Sequence, residues 1–167
     1  MLMHLTVYTD YALRMLMYLA LKDDGLATIE EIAQSYGISK NHLMKVAHQL
    51  GLAGYIETVR GRRGGLRLAK PAKAIRLGDV VRHTEPDMAI VMCFEPTNAD
   101  CAVLPYCVLR KALEVARDAF LEALDNYTLS DLVKPRAGLQ AVLAIAPVKP
   151  AREPPSKRRR RQAGGTG

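Results

Sequence analysis

Residues 28–52 read TIEEIAQSYGISKNHLMKVAHQLGL, and this stretch decides the fold. Thr28-Ile29-Glu30-Glu31 is a capping box, with a hydroxyl at the cap and a carboxylate three residues later, each able to satisfy the other's backbone N–H. It opens a short helix through Ile32, Ala33 and Tyr36. Gly37 ends that helix by supplying the left-handed position of a tight turn. Ser39 is the expected cap of the next helix, Lys40 to about Leu52. Its inner face is Leu43, Val46, Ala47 and Leu50; its outer face is Lys40, Asn41, His42, Lys45, His48 and Gln49. Two short helices joined by a glycine-containing turn form a helix-turn-helix. The outer face carries side chains with the reach and hydrogen-bonding groups that a recognition helix presents to base edges and phosphates.

After Gly54 the run Tyr55 to Val59 is rich in β-branched and aromatic residues and reads as a strand. Arg60-Gly61-Arg62-Arg63-Gly64-Gly65 is a basic turn, and Leu66-Arg67-Leu68 returns as a second strand. A helix-turn-helix followed by a hairpin is a winged helix. Glycine lets the tip turn sharply and approach a surface, and arginine donates in a planar fork suited to phosphate. The turn lacks the glycine-lysine-serine/threonine ending of a nucleotide-binding P-loop and has no strand-loop-helix context.

Further out, a helix is expected from a cap at Thr9. Leu13, Leu16, Met17 and Ala20 form its buried stripe, and Tyr11, Met15 and Tyr18 widen it. Residues 22–25 read as a turn. Pro71 breaks the hairpin, and Ile75, Leu77, Val80 and Val81 mark a short helix with Asp79 and Arg82 outward. The longest helix is expected from Val108 to about Asn126. Ala112, Val115, Ala116, Ala119, Phe120, Ala123 and Leu124 line one face, whose small residues permit close approach of a second helix, hence dimerisation. Thr128 to Asp131 is a second capping box, and the apolar run Leu139 to Ile145 should dock as a short strand or helix. The fold class is therefore mainly α with a small β-hairpin: a winged helix-turn-helix plus a long dimerisation helix. The expected divisions are a DNA-binding domain at 1–82, a cysteine-containing loop at 83–107, a dimerisation helix and docking segment at 108–146, and a disordered basic tail at 147–167.

The chain has 167 residues, a hydrophobic share of 49% and a formal net charge of +7. This is ordinary globular composition, which excludes fibrous and wholly disordered classes. No stretch approaches a membrane span, and no signal peptide is apparent. Residues 37–82 carry 10 basic and 2 acidic side chains, a balance of +8, whereas residues 83–146 balance at −4. A basic block inside a folded region points to nucleic acid, with an acidic protein partner as the competing reading.

All three cysteines, Cys93, Cys101 and Cys107, fall within fifteen residues, in a segment with Pro86, Pro96 and Pro105 and little periodicity. An odd count without a secretion signal points to the cytoplasm and to free or metal-bound thiols. Gaps of eight and six positions do not match the short pairs of zinc knuckles. Soft thiolates select zinc, copper(I) or iron–sulfur, and three leave a four-coordinate centre one ligand short. A metal-free thiol redox switch also stays open. The histidines form no nucleophile–base arrangement, so an enzyme is not expected.

Three features coincide: Leu5 to Arg14 with its Thr9-Asp10-Tyr11, the wing from Val59 to Leu68, and the three cysteines followed by a long helix and Leu124 to Leu129. Together they resemble the bacterial winged-helix iron–sulfur transcriptional regulators, most closely their nitric-oxide-sensitive repressors, over about residues 3–134. The resemblance implies a homodimer binding a roughly palindromic operator in double-stranded DNA. It implies an iron–sulfur cluster, [4Fe-4S] or [2Fe-2S], held by Cys93, Cys101 and Cys107, with Asp10 of the partner subunit as candidate fourth ligand. Relatives that regulate cluster assembly carry a histidine three positions after the last cysteine, where this chain has Arg110. The wide first cysteine gap is shared with iron-responsive relatives, so an iron- or cluster-status signal stands beside nitric oxide. The expected DNA contacts are Lys40, Asn41, His42, Lys45 and Gln49 at base edges. Arg60, Arg62, Arg63 and Arg67 are expected at phosphate or the minor groove, with Arg14 as a further phosphate candidate.

Overall fold

Thr6, rather than Thr9, caps the first helix. Helix α1 (Val7–Leu21) begins with the Thr6 hydroxyl accepting from the Thr9 backbone N–H at 3.2 Å. Thr9 lies inside the first turn, fully buried, and donates its hydroxyl to Thr84 at 2.8 Å or to the Glu85 carboxylate. The buried face is also turned from the expected stripe. Ala12, Met15, Leu16, Tyr18, Leu19 and Leu21 are buried, while Leu13, Met17 and Ala20 are only half-buried. The computed structural model describes residues 4–22, 26–62, 64–85, 87–94 and 101–145. The expected turn at 22–25 thus falls mostly outside the described residues, as does the expected tail at 147–167.

Helix α2 (Ile29–Tyr36) has the expected capping box. The Thr28 hydroxyl accepts from Glu31 N–H at 3.2 Å, and the Glu31 carboxylate accepts from Thr28 N–H at 2.6 Å. It ends at Gly37, whose φ of +65° is the left-handed conformation the turn requires. Helix α3 (Lys40–Leu52) follows. Ser39 occupies its cap position but makes no side-chain hydrogen bond to it. Leu43, Val46, Ala47 and Leu50 are all buried, as the inner-face reading requires.

Strands β1 (Ile56–Val59) and β2 (Gly65–Leu68) pair antiparallel, with Ile56 opposite Leu68 and Val59 opposite Gly65. Leu66 also exchanges backbone hydrogen bonds with Ala27 at 2.8 and 3.0 Å, tying the wing to the start of α2. A Cβ at Gly64 would lie 2.3 Å from the Val59 carbonyl oxygen, so the turn closes only around glycine.

Helix α4 (Leu77–Thr84) buries Leu77, Val80 and Val81 and exposes Asp79 and Arg82, as expected. Helix α5 (Val108–Asp125) is the longest, α6 (Leu129–Leu132) is one turn, and α7 (Arg136–Val142) resolves the docking segment as a helix. The core joins α1, α2, α3 and the wing to Ile75 and Val80, and to Leu129, Val133, Leu143 and Ile145 from the C-terminal side. Arg136 donates to the carbonyls of Ala20 and Leu21 at 3.2 and 2.9 Å, and Gln140 donates to Leu21 at 3.0 Å. These bonds satisfy carbonyls that the end of α1 leaves without helical partners.

Helix α5 contains no buried residue despite its eighteen residues, a property it shares only with the short α7 among the described helices of four residues or more. Val108, Leu109, Val115 and Phe120 are 80%, 66%, 64% and 42% exposed. Its C-terminal end meets α4 through Arg82, which forms a forked pair with Asp125 and also pairs with Asp79. The geometry is the mainly helical winged helix with a small hairpin and a long helix fit for dimerisation.

Candidate nucleic-acid interface and cysteine site

The exposed side of α3 gathers the expected base-reading residues. Asn41, Lys45 and Gln49 line a groove of about 630 Å³ together with Tyr8, Met44 and His48. Tyr8 comes from the first turn of α1, so two elements build the groove, and burial pushes its hydroxyl pKa up. Lys40 is exposed but pairs with Glu30 at 2.7 Å, which holds the Glu30 carboxyl below its ordinary range. A phosphate at Lys40 would compete with that carboxylate. His42 is exposed, its ring centroid 6.1 Å from that of Tyr11.

The wing residues divide. Arg60 and Arg62 are exposed near the tip, while Arg63 lies outside the described residues. Arg67 sits on β2 opposite Glu57 and pairs with it across the strands. Its charge is therefore partly matched within the hairpin, unlike the picture of four equivalent arginines drawn from the sequence. Arg14 forms a two-point pair with Asp10, both contacts at 2.9 Å, and its guanidinium lies 5.8 Å from the Tyr36 ring centroid. Asp10 is thus committed to its own helix within the subunit.

Cys93 lies in the 3₁₀ turn Met92–Phe94 and is half-buried; Cys101 is exposed; Cys107 is half-buried and caps α5. The Cys107 sulfur accepts from the Arg110 backbone N–H at 3.3 Å. This sulfur thus sits at the N-terminal end of α5, where the helix presents its free backbone N–H groups. All three cysteines line one pocket of about 440 Å³ with Val91, Met92, Val103, Leu109, Arg110 and Leu113. The donor set fits an iron–sulfur centre: three soft ligands in a pocket whose other walls are mostly apolar. Among the described residues, however, no three Cys, His, Asp or Glu side chains converge as a metal site.

Three features escaped the sequence reading. Tyr8 and Met44 extend the groove beside α3. Met44 was legible in principle, because it lies three residues from Asn41 on the outer face. Arg110 and Arg117 both stack on Phe94, at 5.9 and 5.4 Å from its ring centroid. Glu85 accepts from Thr6 N–H at 2.9 Å and from the Thr9 hydroxyl, pinning the start of α1 to the end of α4. Neither the Phe94 stack nor the Glu85 contacts left a local signal. No helix among the described residues is long and apolar enough to cross a membrane.

Comparison with known proteins places these features. The Rrf2 family, described as an iron-dependent transcriptional regulator, matches residues 5–135. The HTH-type transcriptional regulator NsrR of Bacillus licheniformis is 48% identical over 143 residues, covering 85% of this chain and 100% of the relative. The NsrR of Bacillus subtilis is 49% identical over 144 residues, covering 86% and 99%. Among solved structures, the B. subtilis global cysteine regulator CymR superposes with a TM-score of 0.66 at 29% identity, over 80% of this chain and 98% of that one. The T. potens IscR gives 0.65 at 25% identity, over 80% and 88%.

Proposed function

The chain belongs to the Rrf2 family and is a dimeric DNA-binding transcriptional regulator, not an enzyme; we propose that it is a repressor whose operator binding is set by an iron–sulfur cluster sensitive to nitric oxide. The observation that carries this reading is that Cys93, Cys101 and Cys107 line one pocket in a chain closely related to NsrR-type regulators. Lys40, Asn41, His42, Lys45 and Gln49 read base edges, and Arg60, Arg62, Arg63 and Arg67, with Arg14, hold the backbone. Two-fold pairing through α5 sets two recognition helices about one helical turn of DNA apart, which selects a roughly palindromic operator. Residues 1–82 bind DNA, 83–107 hold the cluster, 108–146 comprise the pairing helix and a segment that docks on α1, and 147–167 form a basic tail.

The three thiolates hold the centre, and Asp10 of the partner subunit is the candidate fourth ligand, for which its pair with Arg14 must open. When bound, the cluster supplies iron that nitric oxide attacks. Cys93 and Cys101 precede α5 and Cys107 caps it, so ligation and its loss favour different arrangements of the segment joining α4 to α5. Only such differential affinity can shift the spacing of the recognition helices.

Anaerobic purification with iron and sulfide analysis, followed by operator titration with nitric oxide, peroxide and an iron chelator as separate arms, tests the proposal. Cluster present and operator released by nitric oxide is the expected result. Absence of iron and sulfide removes the cluster reading in favour of a thiol switch. A cluster-bearing dimer indifferent to nitric oxide but responsive to chelation makes the signal iron or cluster status. A competition assay without preference for any promoter fragment would sink the operator assignment.

A further inference from the structure

We propose that Arg110 is the electrostatic positioning residue of the cysteine site: its guanidinium offsets the negative charge of a thiolate-bound centre and fastens the Cys93 turn to the start of α5. The inference rests on the cysteine-ligated centre proposed above. Arg110 is the only charged side chain among the described residues lining the pocket that Cys93, Cys101 and Cys107 share. The other non-cysteine lining residues are Val91, Met92, Val103, Leu109 and Leu113. A thiolate-ligated centre carries net negative charge, which one adjacent cation offsets. Guanidinium suits the role because it stays charged at every physiological pH.

The same residue touches both ends of the cysteine segment. Its backbone N–H donates to the Cys107 sulfur at 3.3 Å. Its side chain reaches the Phe94 ring at 5.9 Å, and Phe94 directly follows Cys93 in the same 3₁₀ turn. Glu114, one turn along α5, lies 3.4 Å from Nε and orients the group, while Nε itself is buried without a hydrogen-bond partner. Arg117 stacks on the same ring at 5.4 Å but does not line the pocket. Clamp and charge are therefore separable: Arg117 contributes only to the first, Arg110 to both.

The full-length protein and its R110Q, R110K and R117Q variants, reconstituted anaerobically, supply the test. Cluster absorbance is followed against a chelator, and the midpoint potential is read by spectroelectrochemistry. R110Q should lose its cluster several-fold faster and shift the potential to more negative values, since a nearby cation favours the reduced, more negative state. R110K should restore the potential, and R117Q should leave it at the wild-type value. An R110Q potential equal to wild type overturns the proposal. Cobalt(II) titration of the apo-protein, read by thiolate-to-cobalt charge-transfer absorption, decides the point without a cluster. R110Q should bind cobalt several-fold more weakly and R110K should recover; equal affinities overturn the inference. A wild-type protein that binds cobalt but takes up no cluster overturns the cluster reading alone.

Discussion

Helices α3 and α5 are both amphipathic and both carry a continuous apolar face, yet only α3 buries it. Leu43 and Leu50 are fully enclosed by their own chain, whereas Val115 and Phe120 of α5 stand 64% and 42% exposed. The winged helix completes its core internally, and the long helix is finished by a second copy. An apolar stripe states that something covers it; whether the cover is intramolecular depends on what else the chain can fold over it. Here α1 spans the winged helix, contacting α3, α4, α6, α7 and β2, and its contact with α5 is at most slight.

Substitutions in both halves break or sharpen this contrast, the largest effect first. Leu43→Ala should cost about 2–5 kcal/mol, because it opens a cavity in a closed core, and thermal denaturation reads it. The double change Val115→Glu with Phe120→Glu should weaken dimerisation by about 100-fold, through charges placed in an apolar interface, while the circular dichroism spectrum is kept. Sedimentation equilibrium measures the first quantity, and an unchanged dimer would assign the α5 face another role. Replacing Arg60 and Arg62 by alanine should leave both stability and dimerisation alone. It should lower operator affinity and reduce the slope of log affinity against log salt by about 4, one unit for each phosphate contact that the two subunits together lose.

The smallest effect lies at the joint between the halves. A Cβ at Gly78 would fall 1.9 Å from Asp125 Oδ1, so Gly78→Ala must displace the carboxylate from Arg82. Faster amide exchange at the end of α5, with α3 unaffected, is the expected result. The same pair carries a pH dependence. Arg82 holds the Asp125 carboxyl below its ordinary value of 3.8. A depressed folded-state pKa stabilises above the unfolded value, and that contribution is lost as pH falls below 3.8 through the folded-state value. Nuclear magnetic resonance of α5 amides under acid titration checks it, and Asp125→Asn should remove the transition.

The helix-turn-helix was legible because each of its signals is local: the Thr28–Glu31 box, the left-handed Gly37 and the spacing of Leu43, Val46, Ala47 and Leu50. The wing was legible from its glycines. Helix α1 was misread at its start and on its buried face. Thr9 answers to Thr84 and Glu85, more than seventy positions away, and an almost wholly apolar helix has no polar stripe to orient it. Arg67 looked like another free cation until strand register set it against Glu57. In the cysteine segment the ligand type followed from the sequence, but the neighbours Phe94, Arg110 and Arg117 meet only because a 3₁₀ turn folds back on α5.

The bonds from Arg136 and Gln140 to Ala20 and Leu21 also bear on the order of events during synthesis. The carbonyls at the end of α1 wait for donors 115 to 119 positions downstream. A ribosome adds about 5–20 residues each second, so the first helix emerges several seconds before the groups that close it. Over that interval the chain has already produced its recognition helix, its wing and its pairing helix. Helix α7 therefore acts as a latch on the first, and a transcript cut short before Arg136 yields a polypeptide whose opening helix lacks those donors.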